Sequence, residues 1–136
     1  MIGLDTNVLV RYLVQDDARQ ASAAAKLIVR HCSKEQPGRV SLVVLCELVW
    51  VLSRAYRYSL LEIAGVVEKL LQTAELDIED ADIAWAALRL YRSEGAGFAD
   101  AVIGLCNQQA GCRFTATFDA AAAQLASFRD VAQLIA

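Results

Sequence analysis

Four acidic residues are placed where their carboxylates could do chemistry. Asp5 and Asp119 each follow a short apolar stretch that is typical of a buried strand, and Asp100 lies in the first turn of a predicted helix that follows a glycine-containing loop. Glu47 lies within the apolar run 42–49, where a charge costs several kcal/mol unless it is paired. We therefore expect Glu47 to have a partner outside its own helix.

Together these acids predict a site for a hard divalent cation. The carboxyl ends of parallel strands meet at one edge of a sheet, so three or four carboxylates would lie there without matching basic side chains. Carboxylates that lie so close together either share protons or bind a cation. A few carboxylate oxygens, with water filling the rest of the coordination shell, suit Mg²⁺ or Mn²⁺. Such an ion lowers the pKa of water and offsets the charge on a phosphate under attack. The expected chemistry is hydrolysis of a phosphodiester.

Each acid must also be weighed as a purely structural residue. A carboxylate at a helix start, such as Asp100, is favourable with the helix macrodipole, and Asp119 suits a helix N-cap. We expect Thr6 or Asn7 to cap the first helix, which leaves Asp5 without that role. A second acidic cluster is interpreted as the outer edge of a strand followed by a charged first helical turn. Its members are Glu75, Asp77, Glu79, Asp80 and Asp82.

Strands and helices that could position these acids alternate along the chain. Short apolar or alternating segments predict strands at 2–4, 39–43, 76–79 and 112–117, with a last short strand within 131–135. Helical spacing and capping signals predict helices that begin near residues 8, 60 and 81 and helices over 18–30, 45–55, 98–110 and 120–126. This alternation predicts an α/β fold with a central parallel sheet of four or five strands, covered by helices on both faces.

Length and composition indicate one globular domain. The 136 residues are 57% hydrophobic and include a single proline, so we expect one domain over residues 1–136 with a well-packed core. No apolar run reaches the roughly 18 residues of a membrane span, and the N-terminus does not resemble a secretory signal. Four cysteines without a CxxC pair predict reduced core thiols. These features favour a cytoplasmic protein without membrane association.

The charge of the chain is unevenly distributed. Residues 1–60 carry eight basic and five acidic residues, a balance of +3, whereas residues 61–136 carry five and eleven, a balance of −6. A net charge of −3 is not the usual footprint of a nucleic-acid-binding protein. One or two divalent cations would bring it to −1 or +1, and Arg11, Arg54 and Arg57 are candidates for phosphate contacts.

The order of these motifs resembles that of a known family. The motifs are Asp5-Thr6-Asn7, Glu47 in a Leu-Cys-Glu-Leu context, Phe98-Ala99-Asp100-Ala101 and Thr115-Ala116-Thr117-Phe118-Asp119. They resemble the PIN domain, and more narrowly the VapC-type toxins of bacterial toxin–antitoxin pairs, over nearly the whole chain. The resemblance implies a three-layer α/β/α fold and metal-dependent endoribonuclease activity.

The same resemblance assigns roles to individual residues. It implies that Asp5, Glu47, Asp100 and Asp119 are the acidic quartet that binds metal. It also implies that Asn7 flanks the site and that Thr117 supplies a supporting hydroxyl. The chain departs from some members at Ala120-Ala121-Ala122, where a further acid is absent, which leaves open whether one metal or two are bound.

Two other functional classes remain open on sequence grounds. A receiver domain or phosphatase also places acids at strand ends, but a receiver domain needs a lysine late in the chain, and the last lysine here is Lys69. A non-catalytic PIN-like module would bind RNA or a protein partner without cutting, because activity does not follow from fold alone. An intact acidic quartet favours the nuclease over the non-catalytic module.

Protein partners are expected on two grounds. The resemblance implies a cognate antitoxin. The predicted helices around 8–14 and 49–52 also carry more apolar residues than one core-facing stripe requires, and such surplus apolar surface is typical of an interface. We therefore expect a homodimer and a groove for an antitoxin helix, in addition to the RNA substrate.

Overall fold

Short parallel strands alternate with longer helices in the computed structural model, which describes all 136 residues. The elements are β1 (Ile2–Gly3), α1 (Thr6–Val14), α2 (Ala18–His31), β2 (Gly38–Val40), α3 (Leu42–Arg54), α4 (Leu60–Leu71), β3 (Leu76–Ile78), α5 (Ala81–Glu94), α6 (Phe98–Gln109), β4 (Thr115–Thr117), a 3₁₀ turn (Ala122–Gln124), β5 (Phe128–Asp130) and α7 (Val131–Leu134). The predicted α/β class is confirmed.

All strand pairing is parallel, and the strands form two small sheets. One sheet has the order β1-β2-β3, with Gly38 of β2 paired to Ile2 on one side and to Leu76 on the other. The second sheet pairs β4 with β5. Five strands are therefore present, four of them overlapping predicted segments, and they form sheets of three and two strands instead of one central sheet. The chain divides into two compact units, residues 1–81 and 82–136, and each is described by itself below.

The core of the first unit is built from one face of each of its helices. Apolar residues at helical spacing on α1, α3 and α4 are buried: Leu9, Val10, Leu45, Leu48, Leu52, Ile63, Val67 and Leu70. The predicted capping box is present at the start of α4, where Ser59 Oγ accepts from the Glu62 N–H at 3.1 Å and Glu62 Oε1 accepts from the Ser59 N–H at 3.0 Å. The capping box therefore fixes the start of α4, whose buried residues belong to this core.

In the second unit the core lies around α6 and the β4–β5 pair. The Phe98 ring is 2% exposed and meets Tyr91 edge-on, with ring centroids 6.1 Å apart. A second apolar cluster joins Ala96, Ala122, Leu125 and Phe128. A hydrogen bond of 3.0 Å from Asn107 Nδ2 to Thr115 Oγ1 ties the last turn of α6 to the start of β4.

Three predicted boundaries are wrong, and in two of these cases a polar side chain caps a helix. The strand predicted over 39–43 ends at Val40, since Ser41 Oγ accepts from the Val44 N–H at 3.2 Å and α3 begins at Leu42. The helix predicted over 120–126 is only a 3₁₀ turn. The last strand precedes the predicted 131–135 segment, which is helical because Asp130 caps α7.

Two expectations from composition have clear outcomes. No helix is both long and apolar enough to cross a bilayer. The four cysteines form no disulfide, and Cys32 is buried as a core thiol should be. Cys112 is exposed, so the prediction of four core thiols is wrong for this residue, which lies beyond the end of α6 where no apolar layer covers it.

Gly104 of α6 gives a stability prediction, because a Cβ there would lie 2.5 Å from Cε1 of the buried Phe128 ring. We expect Gly104→Ala to destabilise the fold by about 1–3 kcal/mol, the usual cost of overpacking a core. Gly65→Ala is the matched control, since Gly65 lies inside α4 with no atom within 4 Å of its Cβ position. It should stabilise by about 0.5–1 kcal/mol. Urea unfolding of both variants measures the difference, and equal effects would contradict the packing argument.

Candidate metal centre and nuclease site

Asp5 lies between the first strand and the first helix. The Leu4 N–H donates to Arg39 O at 2.9 Å, which holds the chain against β2 up to this point. Asp5 then takes an extended conformation, and its Oδ1 accepts from the Thr6 N–H at 2.8 Å, so Asp5 itself is the N-cap of α1. The expectation that Thr6 or Asn7 is the cap is wrong, because α1 begins at Thr6.

Asp5 and Glu47 line the same surface pocket. Its wall consists of Asp5, Thr6, Asn7, Val10, Arg11, Glu47, Val51, Ala55 and Tyr56. Asp5, Asn7 and Glu47 are all exposed. The pocket therefore combines two carboxylates, an amide and one guanidinium on a surface open to solvent.

Glu47 is exposed, so the expectation of a charge buried in an apolar run is wrong. The reason is the helical period of α3: Leu45, Leu48 and Leu52 are buried, whereas Val43 and Trp50 are 78% and 61% exposed. Glu47 lies on the exposed side, one turn from each of these two residues. Glu47 is nevertheless near Asp5, because both residues line the same pocket.

The hydroxyl of Thr6 is an unusual feature of this pocket. Thr6 is 5% exposed, and its Oγ1 is buried without a hydrogen-bond partner. An unpartnered buried hydroxyl costs about 1–3 kcal/mol, and such groups in native structures commonly contact an ordered water or ion. The hydroxyl fits a pocket that holds water or a hydrated cation beside Asp5.

Asp100 and Asp119 form a second pair, in the second unit. Asp100 lies in the first turn of α6, which begins after Gly97, and a Cβ at Gly97 would lie 3.0 Å from Asp100 Oδ2. Burial raises the pKa of Asp100 above its ordinary value, and the charge of Asp119 raises it further. The two carboxylates are therefore close enough to interact, and neither takes part in an ion pair.

Asp119 is also held by backbone contacts. Its Oδ1 accepts from the Ala122 N–H at 2.9 Å, which caps the 3₁₀ turn, and its own N–H donates to Thr117 Oγ1 at 3.0 Å. Thr117, expected as a supporting hydroxyl, thus shapes the turn that presents Asp119. The capping role expected of Asp119 is present, over a shorter helical segment.

The second acidic cluster has structural roles. Asp77 Oδ2 forms an ion pair of 2.7 Å with Arg39 Nη1 on the neighbouring strand. Glu79 Oε1 accepts from the Leu42 N–H at 2.8 Å, at the start of α3. Both acids therefore hold β2, β3 and α3 together, in agreement with their interpretation as strand-edge residues.

A polar network around Arg11 was not predicted. Arg11 Nη1 donates to Asp16 Oδ1 at 2.9 Å, and the Tyr56 hydroxyl donates to Asp16 Oδ2 at 3.0 Å. The Tyr56 hydrogen bond, and after it Arg11, lower the pKa of Asp16. Of the three arginines proposed for phosphate contacts, Arg11 alone lines the pocket of Asp5 and Glu47. Tyr56 is 45 residues from Arg11, so no local pattern could have shown the pairing.

A divalent metal is compatible with the residues that are present. No group of three or more His, Cys, Asp or Glu side chains is arranged as a ready metal site; the acids come in the pairs Asp5 with Glu47 and Asp100 with Asp119. Mg²⁺ keeps several waters and commonly binds only one or two carboxylates. Uncompensated carboxylates and an unpartnered buried hydroxyl are donors that suit a hydrated hard cation.

Comparison with protein-family models identifies the family of this chain. A search of curated proteins returns no significant match. The family model described as the PIN domain matches residues 2–127, which include all four acids and both supporting residues. The chain therefore belongs to the PIN domain family.

Proposed function

We propose that this chain is a metal-dependent endoribonuclease that hydrolyses RNA phosphodiester bonds. PIN domains are generally nucleases and typically use divalent metals. The observation that carries the proposal is the Asp100–Asp119 pair: neither carboxylate has a basic partner, and burial, then the charge of Asp119, raise the pKa of Asp100. Such uncompensated charge is favourable in a site that a cation completes.

In this proposal each role that the family resemblance implies falls to a residue of this chain. Asp5, Glu47, Asp100 and Asp119 are the residues that would hold Mg²⁺ or Mn²⁺, and the ion would acidify water and offset the charge of the phosphodiester. Asp5 and Asp119 each use one oxygen to cap a helical turn, so both are fixed by backbone contacts before metal arrives. Asn7 lines the pocket of Asp5 and Glu47, where its amide can contact substrate, and Thr117 orients the Asp119 turn.

A cleavage assay tests this function. Purified protein is incubated with single-stranded RNA in Mg²⁺, in Mn²⁺ and in excess EDTA, and the products are sized. We expect internal cuts only with metal, and none from an Asp100→Asn preparation purified in the same way. RNA that is bound but left intact would favour the non-catalytic PIN-like module. Cutting that persists in EDTA would contradict the metal-dependent mechanism.

We further propose that the nuclease is the toxin of a type II toxin–antitoxin pair in the cytoplasm, a homodimer that binds an antitoxin helix. An apolar groove supports this proposal, lined by residues that include Leu9, Tyr12, Leu13, Ile28 and Val66. An amphipathic helix is the kind of segment that fits such a groove. The cleavage assay has a cellular arm: expression of the wild-type chain should arrest bacterial growth, and expression of Asp100→Asn should not.

A further inference from the structure

Arg11 is a cation whose orientation is set by residues outside its own helix. Its Nη1 donates to Asp16 in the α1–α2 connection and lies 3.5 Å from the hydroxyl of Tyr56, which follows α3. Because Tyr56 also donates to Asp16 at 3.0 Å, the three side chains close a ring of contacts. Both contacts of Arg11 use Nη1, and the side chain is 33% exposed. The Nε and Nη2 donors therefore remain for another acceptor.

Arg11 stands between two clefts on the first unit. One is the pocket of Asp5 and Glu47 described above. The other lies between α1 and α2, has a volume of about 610 Å³, and is lined by Asn7, Val8, Arg11, Gln20, Ala23, Ala24 and Leu27. Asn7 and Arg11 belong to both clefts and lie one helical turn apart, on the same face of α1. Arg11 is the only basic residue that lines either cleft.

The two clefts differ in their chemistry. The first contains two carboxylates, whereas the second contains no acid and combines the amides of Asn7 and Gln20 with the apolar walls of Ala23 and Leu27. Amide groups hydrogen-bond to the edges of unpaired bases, and apolar surface packs against base faces. Its volume lies within the range of small-ligand sites, so it can hold one nucleotide.

We propose that Arg11 binds the phosphate next to the one that is cleaved, and that the cleft of Asn7 and Gln20 takes the nucleotide attached to it. The proposal rests on the proposed nuclease function, since it names how that site holds a single-stranded RNA. A guanidinium fork with free donors binds phosphate in a bidentate way that a lysine cannot reproduce. A strand would then pass from the acidic pocket over Arg11 into the uncharged cleft.

The test measures RNA binding without cleavage. Fluorescence anisotropy with a short single-stranded RNA is carried out in EDTA over a series of salt concentrations. Arg11→Ala should raise Kd roughly tenfold and lower the slope of log K against log salt by about 0.7, the loss of one phosphate contact in a single strand. Gln20→Ala should raise Kd less and leave the salt slope unchanged, because it removes a base contact and no charge.

Matched variants separate this role from a general effect of charge or of folding. Arg19→Ala removes the same charge one residue from Gln20, at an exposed position that does not line the cleft, and should change Kd less than threefold. Arg11→Lys should keep most of the dependence of RNA affinity on salt concentration, because the charge remains, but only part of the RNA affinity itself. Melting temperatures verify that each variant is folded, and in the metal-dependent cleavage assay Arg11→Ala should raise KM far more than it lowers kcat.

The possible failures are distinguishable. If Arg11→Ala binds RNA as tightly as the wild-type protein does, the proposed role of Arg11 is wrong and the nuclease proposal is unaffected. If Arg19→Ala and Arg11→Ala lose equal RNA affinity, the effect comes from overall charge, and the proposed role of Arg11 is again wrong. Wild-type protein with no affinity for RNA would overturn both proposals. If Arg11→Ala keeps RNA affinity but loses affinity for an acidic peptide, the clefts are a protein-docking surface and the RNA path is wrong.

Discussion

Asp100→Asn is expected to lower the rate of metal-dependent RNA cleavage by more than about a hundredfold and to stabilise the metal-free protein at neutral pH. Even residues that only support a metal ligand are worth about 10- to 100-fold in activity or affinity, so loss of a ligand should cost more. The stability gain follows from the pKa of Asp100, which burial and then Asp119 raise above the ordinary value of 3.8. The ionised form is therefore disfavoured in the folded state.

The pH dependence of this effect has a definite sign. A carboxyl with a raised folded-state pKa lets the folded protein bind more protons than the unfolded chain, so its contribution to stability falls as pH rises from 3.8 through the raised pKa. Asn at position 100 cannot titrate. The stability difference between the variant and the wild type should therefore be largest at neutral pH and shrink in acid.

Urea unfolding in EDTA at several pH values, together with the cleavage assay, measures both effects. Asp82→Asn is a suitable control, because it removes an exposed carboxylate from the first turn of α5. A variant that cuts RNA normally would exclude Asp100 as a metal ligand. A variant that is less stable at neutral pH in EDTA would contradict the assigned cause of the pKa shift.

The pair Asp5→Asn and Asp5→Ala should separate catalysis from capping. Asn and Asp are comparable N-caps, so Asp5→Asn should retain the bond from the Thr6 N–H and change stability by less than about 0.5 kcal/mol. Asp5→Ala lacks the acceptor and should cost about 1 kcal/mol. Cleavage should fall more than about a hundredfold in both variants, because neither retains the charged ligand.

Thermal melting and the RNA cleavage assay, run on the same preparations, measure the two effects. An unfolded Asp5→Asn chain would make Asp5 a structural residue. Full activity of Asp5→Asn, with folding intact, would remove Asp5 from the set of metal ligands. Activity that tracks stability across the two variants would show that capping alone explains the effect.

Local signals predicted most of the fold, because they depend on a few neighbouring residues. The Ser59–Glu62 capping box and the apolar period of α4 both correspond to observed elements. α6 ends at Gln109, close to the predicted end at Gly111. Gly111 has a positive φ of 94°, a backbone conformation that favours glycine after a helix. The start of α3 was missed although Ser41 is a good N-cap, because the apolar run 42–44 suits a buried strand equally well.

The site was only partly predictable, since its long-range contacts leave no local pattern. The positions of Asp5 and Asp119 just after strands followed from the alternation of elements. The exposure of Glu47 did not, because α3 is apolar on more than its buried face and Val43 and Trp50 conceal its period. The pairing of Arg11 with Tyr56 and the bond from Leu42 to Glu79 each join residues more than 30 positions apart. Only tertiary structure reveals them.

The helix caps at Asp5 and Asp119 have a consequence for the denticity of a bound cation. In each residue Oδ1 is engaged with a backbone N–H, at 2.8 Å for Asp5 and 2.9 Å for Asp119. Each carboxylate therefore has one oxygen free of protein contacts and is suited to monodentate coordination. Ca²⁺ sites draw on bidentate carboxylates and as many as about eight oxygens, whereas Mg²⁺ takes single oxygens in an octahedron completed by water. In the proposed nuclease the caps would thereby suit the smaller ion and would leave other coordination positions to water and to the phosphate oxygens of RNA.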